Sequence, residues 1–121
     1  MNAISWFEIP VKDMARAKAF YSAVLGQPLQ DMPGGDGNYV FLPSDQEGVG
    51  GALSSHESME AAGAKGVVIY LNGGDDLAVP LGRVAAAGGT VTQAKMSIGD
   101  NGHIGFFMDT EGNHIGLHSM G

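Results

Sequence analysis

Residues 3–11 carry a run of aromatic and branched side chains, Ile4-Ser5-Trp6-Phe7-Glu8-Ile9-Pro10-Val11, which predicts a strand stopping near Pro10. From Met14 to Leu25 the period changes. Met14, Ala17, Phe20, Tyr21, Val24 and Leu25 recur at helical spacing, with Lys12, Arg16 and Lys18 left for the wet side. Asp13 can cap this helix, because its carboxylate can accept the unpaired amide hydrogens of the first turn. Gly26 ends the helix and Pro28 prevents its resumption. Three short extended segments follow, around residues 29–32, 38–42 and 49–53.

The same pattern then starts again, about half a chain later. Gly66-Val67-Val68-Ile69-Tyr70-Leu71 predicts a strand, and Asp75 or Asp76 caps a helix running to about Ala87. Pro80 lies near its first turn, where a missing N–H does least harm, and Gly88-Gly89 stops it. Residues 90–94 alternate as a strand, and 104–108 and 113–118 predict a hairpin across Asp109-Thr110-Glu111-Gly112-Asn113. The polar stretch 55–65 connects the halves, with room for one helical turn at 57–62. The expected fold is α+β: a single domain over 1–121 built from two βαβββ modules, about 1–54 and 66–121. A seam between two such modules is a natural place for a ligand.

Composition narrows the function more than the fold. The chain has 121 residues and no cysteine, so it can build a core without staples and cannot build a disulfide or thiolate site. Thirteen acidic against six basic residues leave a formal charge of -7, which argues against nucleic acid and anionic membranes as partners. The same charge suits a neutral or cationic small ligand. No stretch approaches the length needed to cross a bilayer, and the cytoplasm is the default location. The glycines cluster where turns are expected, and no phosphate-binding glycine loop stands between a strand and a helix.

Val11-x-Asp13-Met14 after a strand, and a helix ending Phe20-Tyr21-x-x-Val24-Leu25-Gly26, resemble the opening of the vicinal oxygen chelate superfamily. That group contains glyoxalase I, extradiol dioxygenases and bleomycin-resistance proteins. The stretch from Phe107 to Leu117, with Asp109, Gly112 and Asn113 in its turn, is similar to the closing hairpin of the family. The resemblance covers essentially the whole chain and is nearest to a bacterial, lactoylglutathione-lyase-related branch of unassigned function. It implies a curled mixed sheet around a cup-shaped cavity, each module supplying half. It also implies a homodimer, since small members complete or buttress their cups across a two-fold axis. In metal-dependent relatives, four inward positions on the first and last strands of the halves supply the ligands. Carried over motif by motif, they fall on Trp6, Gly66, Gly116 and a place near Gly50 or Gly51. Indole and glycine side chains cannot ligate a divalent ion, so no metal and no other cofactor is expected.

Alternation extends the list of inward residues. Trp6 brings Glu8 with it, Gly66 brings Tyr70, and Gly116 brings His114 and His118. The expected cup is therefore lined by Trp6, Tyr70, Gly51, Gly116 and His114 as ligand contacts, with Glu8 and His118 as an acid/base pair. Each has a plainer reading. Trp6 and Tyr70 serve equally well as large core residues. Glu8 stands among apolar neighbours, where a carboxylate must be paired, solvated or functional. His114 follows a turn and reads as a surface residue, whereas His118 lies deeper in the last strand. His103 and His56 fall in a loop and in the connector.

Three functions stay open. The leading one is a metal-independent, glyoxalase-like protein that binds an unidentified small organic molecule, with acid/base chemistry in the cup. The second is a metal-dependent lyase, epimerase or dioxygenase with displaced ligands. The third is a non-catalytic, antibiotic-sequestering protein of the bleomycin-resistance kind.

Overall fold

The computed structural model describes residues 2–45, 47–55 and 67–121. Within them the chain forms two four-stranded mixed sheets with a few helices, an α+β fold not closed into a barrel. The first module runs β1 (Trp6–Pro10), α1 (Met14–Leu25), β2 (Gln30–Asp31), β3 (Tyr39–Phe41) and β4 (Gly50–Ser54). The second runs β5 (Tyr70–Asn72), α2 (Ala78–Leu81), α3 (Val84–Ala87), β6 (Thr90–Ser97), a 3-10 turn (Gly99–Asn101), β7 (His103–Met108) and β8 (His114–Ser119). The sheet orders are β1-β4-β3-β2 and β5-β8-β7-β6, so the topology repeats as the sequence does. In each sheet the first strand pairs parallel with the last, and the remaining pairs are antiparallel. The helical turn expected at 57–62, most of the connector and Gly66 lie outside the described residues.

The first helix forms for the reasons its sequence contains. The Asp13 carboxylate accepts from the Arg16 amide at 3.0 Å, and Gly26 closes the helix at φ 71 with its N–H on the Ser22 carbonyl. The second helix departs from expectation, because one helix to Ala87 becomes two single turns. Asp76 still caps the first of them, accepting from the Ala78 amide at 2.9 Å. The break comes at Gly82 and Arg83, where the Arg83 amide bonds the Pro80 carbonyl, three residues back. Pro80 and Gly82 are the two poorest helix formers, so nothing holds the longer period through this point. The closing hairpin forms within one residue of its predicted bounds, while β5 starts at Tyr70 rather than near Gly66.

One face of each sheet is closed by the helices. Ile9, Val40 and Leu53 of the first sheet and Leu71, Phe107, Ile115 and Leu117 of the second join Phe20, Tyr21, Val24, Leu77 and Val84 in a single buried core. Phe107 packs 5.9 Å from Phe20 and 6.5 Å from Tyr21, so α1 belongs to the core of both modules.

The turn between β7 and β8 locks the modules together. The Glu111 carboxylate, fully buried, accepts the Lys12 and Asp13 amides at 2.7 and 2.8 Å, Arg16 Nε at 2.7 Å and the Thr110 hydroxyl at 2.9 Å. Burial alone would raise its pKa. The hydrogen bond from Arg16, followed by those from Asp13, Thr110 and Lys12, overcomes that and brings it to about 2. Beside it, Asp109 accepts the Tyr21 hydroxyl at 2.7 Å and the Asn113 side chain at 2.7 Å, and Asn113 reaches the Pro10 carbonyl at 3.0 Å. Burial first, then Asp109, pushes the Tyr21 phenol well above its ordinary pKa. The seam was the expected place for a ligand. Where the modules meet through α1 and this turn, it is packed with aromatic rings and a polar network that leaves only one of its buried atoms, Asn113 Oδ1, without a partner. Elsewhere along the seam a cavity of about 1180 Å³ opens, lined by Phe7, Leu25 and Leu42 from the first module and Ile69, Leu71 and Arg83 from the second.

Candidate functional site: the two sheet faces turned away from the helices

The sheet faces turned away from the helices carry the polar and aromatic side chains, and register decides which of them meet. In the first sheet Trp6 stands opposite Gly50 and Glu8 opposite Ala52, while Phe41 and Tyr39 pair with Ala52 and Ser54. Trp6, Glu8, Phe41 and Tyr39 therefore share one face. In the second sheet Tyr70 stands opposite Gly116 and Asn72 opposite His118, while Phe106 and Met108 pair with Gly116 and His114. Tyr70, Asn72, Phe106, His114 and His118 share the corresponding face.

One arrangement occurs in both sheets: an aromatic ring from the first strand lies on a glycine of the last. A Cβ on Gly50 would sit 2.8 Å from Trp6 Cζ3, and one on Gly116 would sit 2.5 Å from Tyr70 Cδ1. Any larger residue at either glycine would lift the ring off the sheet. This pairing bears on two readings of the sequence. Tyr70 holds in the second sheet the place that Trp6 holds in the first, each opposite a glycine of the last strand, while Gly66 lies outside the described residues. Gly51 faces the other way, under the ring of Phe7 on the core side, and Gly50 lies under Trp6 on the face turned away from the helices. A one-residue step reverses the face.

On the first sheet, Trp6 is 44% exposed and donates its indole N–H to the Tyr39 hydroxyl at 2.7 Å. Both rings stand edge-on to Phe41, with centroids at 5.9 and 5.8 Å and interplanar angles of 85° and 88°. The Tyr39 phenol has a raised pKa, first from burial and then from its hydrogen bond to the Glu8 carboxylate, with the Trp6 contact opposing. Sequence reasoning missed Tyr39 and Phe41 as site residues. Strand alternation put them on one face, but only the β1-β4-β3 order brings that face beside Trp6.

On the second sheet, His118 Nε2 lies 2.6 Å from the Asn101 carbonyl oxygen. A carbonyl only accepts, so Nε2 carries the hydrogen and Nδ1 is the basic nitrogen of the neutral ring. His114 is half-buried rather than a free surface residue, with Nε2 3.1 Å from Thr92 Oγ1 and its ring 5.1 Å from that of Phe106. Tyr70 meets the same phenyl ring at 5.5 Å. Against this face lies a cavity of about 850 Å³, whose lining includes Tyr70, Asn72, Ile98, Ile104, His118 and Met120. An apolar wall with a few polar groups is the usual form of a small-molecule site.

Glu8 and His118 lie on different sheets, and His118 bonds the Asn101 carbonyl rather than Glu8. No three His, Cys, Asp or Glu side chains converge to hold an ion among the described residues. The cross-strand pairs Trp6–Gly50 and Tyr70–Gly116 present an indole, a phenol and two glycines, a donor set that does not fit a divalent ion.

Kinship agrees with this geometry. The profile of the Glyoxalase/Bleomycin resistance protein/Dioxygenase superfamily matches residues 3–117, and the chain belongs to that superfamily. A glyoxylase-like domain-containing protein of Didymella fabae is 34% identical over 118 residues, covering 91% of this chain and 88% of that protein. Among solved structures, a glyoxalase/bleomycin resistance protein from Albidiferax ferrireducens aligns with a TM-score of 0.78 at 18% identity, over 96% of this chain and 97% of that one. TnmS3, an antibiotic binding protein from Streptomyces sp. CB03234, aligns with a TM-score of 0.69 at 24% identity, over 100% of this chain and 98% of that one. These two likenesses are likenesses of fold. No helix among the described residues is long and apolar enough to cross a membrane.

Proposed function

We propose that the chain is a cytoplasmic protein that binds a small organic molecule on its concave faces without a metal ion. The observation that carries this reading is the cavity of about 850 Å³ against the second sheet, where Tyr70, Asn72 and His118 stand among apolar side chains. Glycines where ligating side chains would stand, with aromatic rings laid over them, support both the binding and the absence of a metal. The likeness to an antibiotic binding protein makes antibiotics the first class to test. The working unit is a homodimer. One chain offers two half-faces on separate sheets, and a second copy that sets the first sheet of one chain over the second sheet of the other completes a cup.

The fixed tautomer of His118 favours a second reading, in which the cup also performs acid/base chemistry. With Nε2–H held by the Asn101 carbonyl, Nδ1 is the nitrogen left to act as a base toward a ligand on this face. Thermal-shift measurements with a panel of antibiotics, paired with elemental analysis, test the proposal. A ligand at about a hundred times its dissociation constant adds about 2.7 kcal/mol and raises Tm by several degrees. A metal-free protein that returns the compound unchanged supports sequestration, and one that returns a product supports the acid/base reading. A stoichiometric metal that survives chelation overturns the metal-free proposal.

A further inference from the structure

The first sheet carries a second constellation, separate from the cavity on the second. Trp6, Tyr39 and Phe41 form a closed triangle of rings. Phe41 meets Trp6 at 5.9 Å and Tyr39 at 5.8 Å, and the indole-to-phenol hydrogen bond of 2.7 Å joins the other two. The ring of Trp6 is seated on Gly50 at one edge, yet the residue remains 44% exposed, so aromatic surface stays open to solvent. Glu8 follows Trp6 by two residues on the same face and is itself exposed. None of the ion pairs among the described residues involves Glu8. Its carboxylate is close enough to the Tyr39 phenol to raise the pKa of that group.

We propose that Trp6, Tyr39, Phe41 and Glu8 form a subsite for the organic-ammonium end of the ligand. The inference rests on the concave faces being the binding surface and adds the charge and chemical class of the group bound there. Two independent attractions point the same way. Aromatic rings present a negative π-face to a cation, most strongly when the ring is an indole. The unneutralised carboxylate of Glu8 supplies a full negative charge beside them, within a chain whose formal charge is -7. An alkylated ammonium suits such a place better than a primary one, because its methyl groups can lie on the rings while it requires no hydrogen-bond acceptor. A neutral ligand of the same shape would gain the apolar contact alone.

Trp6 is the sole tryptophan, so its fluorescence reports this face and no other. Titration with choline, and in parallel with its uncharged isostere 3,3-dimethylbutan-1-ol, isolates the charge at constant shape. Sodium chloride at matched ionic strength serves as the control. We expect choline to bind about five- to tenfold more tightly than the alcohol. Glu8→Gln and Phe41→Leu, each verified as folded by circular dichroism, should each remove most of that preference. Equal binding of choline and the alcohol would overturn the cation subsite and leave the binding surface standing. A response reproduced by sodium chloride would overturn it as well. No response to either compound would overturn the subsite too, since a second copy facing this sheet across the cup leaves room for the ligand.

Discussion

Replacing Glu111 with Gln should release the clamp between the modules, and the size of the effect follows from its partners. The carboxylate receives four hydrogen bonds, two from backbone amides ahead of α1 and one from Arg16 Nε. Lowering a carboxyl pKa from 4.5 to about 2 corresponds to at most about 3 kcal/mol of folding stability. The half-exposed Arg16 partner is screened by solvent, which trims the total to about 2 kcal/mol. Glutamine makes the loss larger again, because its NH₂ group must face one of the donors that the carboxylate accepted. The net expectation is a loss of about 2–3 kcal/mol near neutral pH, or a Tm lower by roughly 10 °C. The folded-state pKa is depressed, so this stabilisation is complete above the unfolded value of about 4.5 and disappears as pH falls toward about 2. Urea denaturation of both proteins, followed by far-UV circular dichroism, should therefore show a wide gap near neutrality that narrows steadily with acid. Equal midpoints near neutrality, or a gap that persists undiminished at about pH 3, would refute the argument.

Other consequences are as direct. The Tyr21 phenol, buried on Asp109, should stay protonated well past its ordinary pKa and ionise only as the protein unfolds, which alkaline ultraviolet titration would reveal as a step coincident with loss of helix. Phe107→Ala should cost about 3–5 kcal/mol, since it empties a fully buried position between the modules, and denaturant midpoints measure it. Gly116→Ala should push the Tyr70 ring out of place at a cost of about 1–3 kcal/mol and weaken ligand binding to the second sheet. Unchanged binding in that variant would show that Tyr70 does not shape the site.

The parts of the fold that the sequence announced are those with local punctuation. Asp13 and Gly26 bracket α1, and Asp109 to Asn113 carry the residues a hairpin turn requires, so both elements fall where expected. The run from Gly66 to Leu71 has no such mark at its start, and its regular pairing begins only at Tyr70. The second helix failed because the break at Gly82 and Arg83 depends on which carbonyl Arg83 selects, a choice made in three dimensions. Gly50 and Gly51 were interchangeable on paper, since neither has a side chain to reveal its face, and the rings of Trp6 and Phe7 decide between them. On the candidate site, Trp6, Glu8, Tyr70, His114, Gly116 and His118 could be listed from alternation. Tyr39 and Phe41 could not, because strand order alone makes them neighbours of Trp6.

The central claim, that the concave faces and not the helical side receive the ligand, is tested most directly by methyl NMR during titration with the cationic polycyclic dye proflavine. The account predicts shifts at Ile98, Ile104 and Met120, which line the cavity, and none at Leu77, Leu81 and Val84, which pack beneath the helices. Shifts confined to those three core residues, or saturable binding that leaves Ile104 and Met120 unmoved, would contradict it.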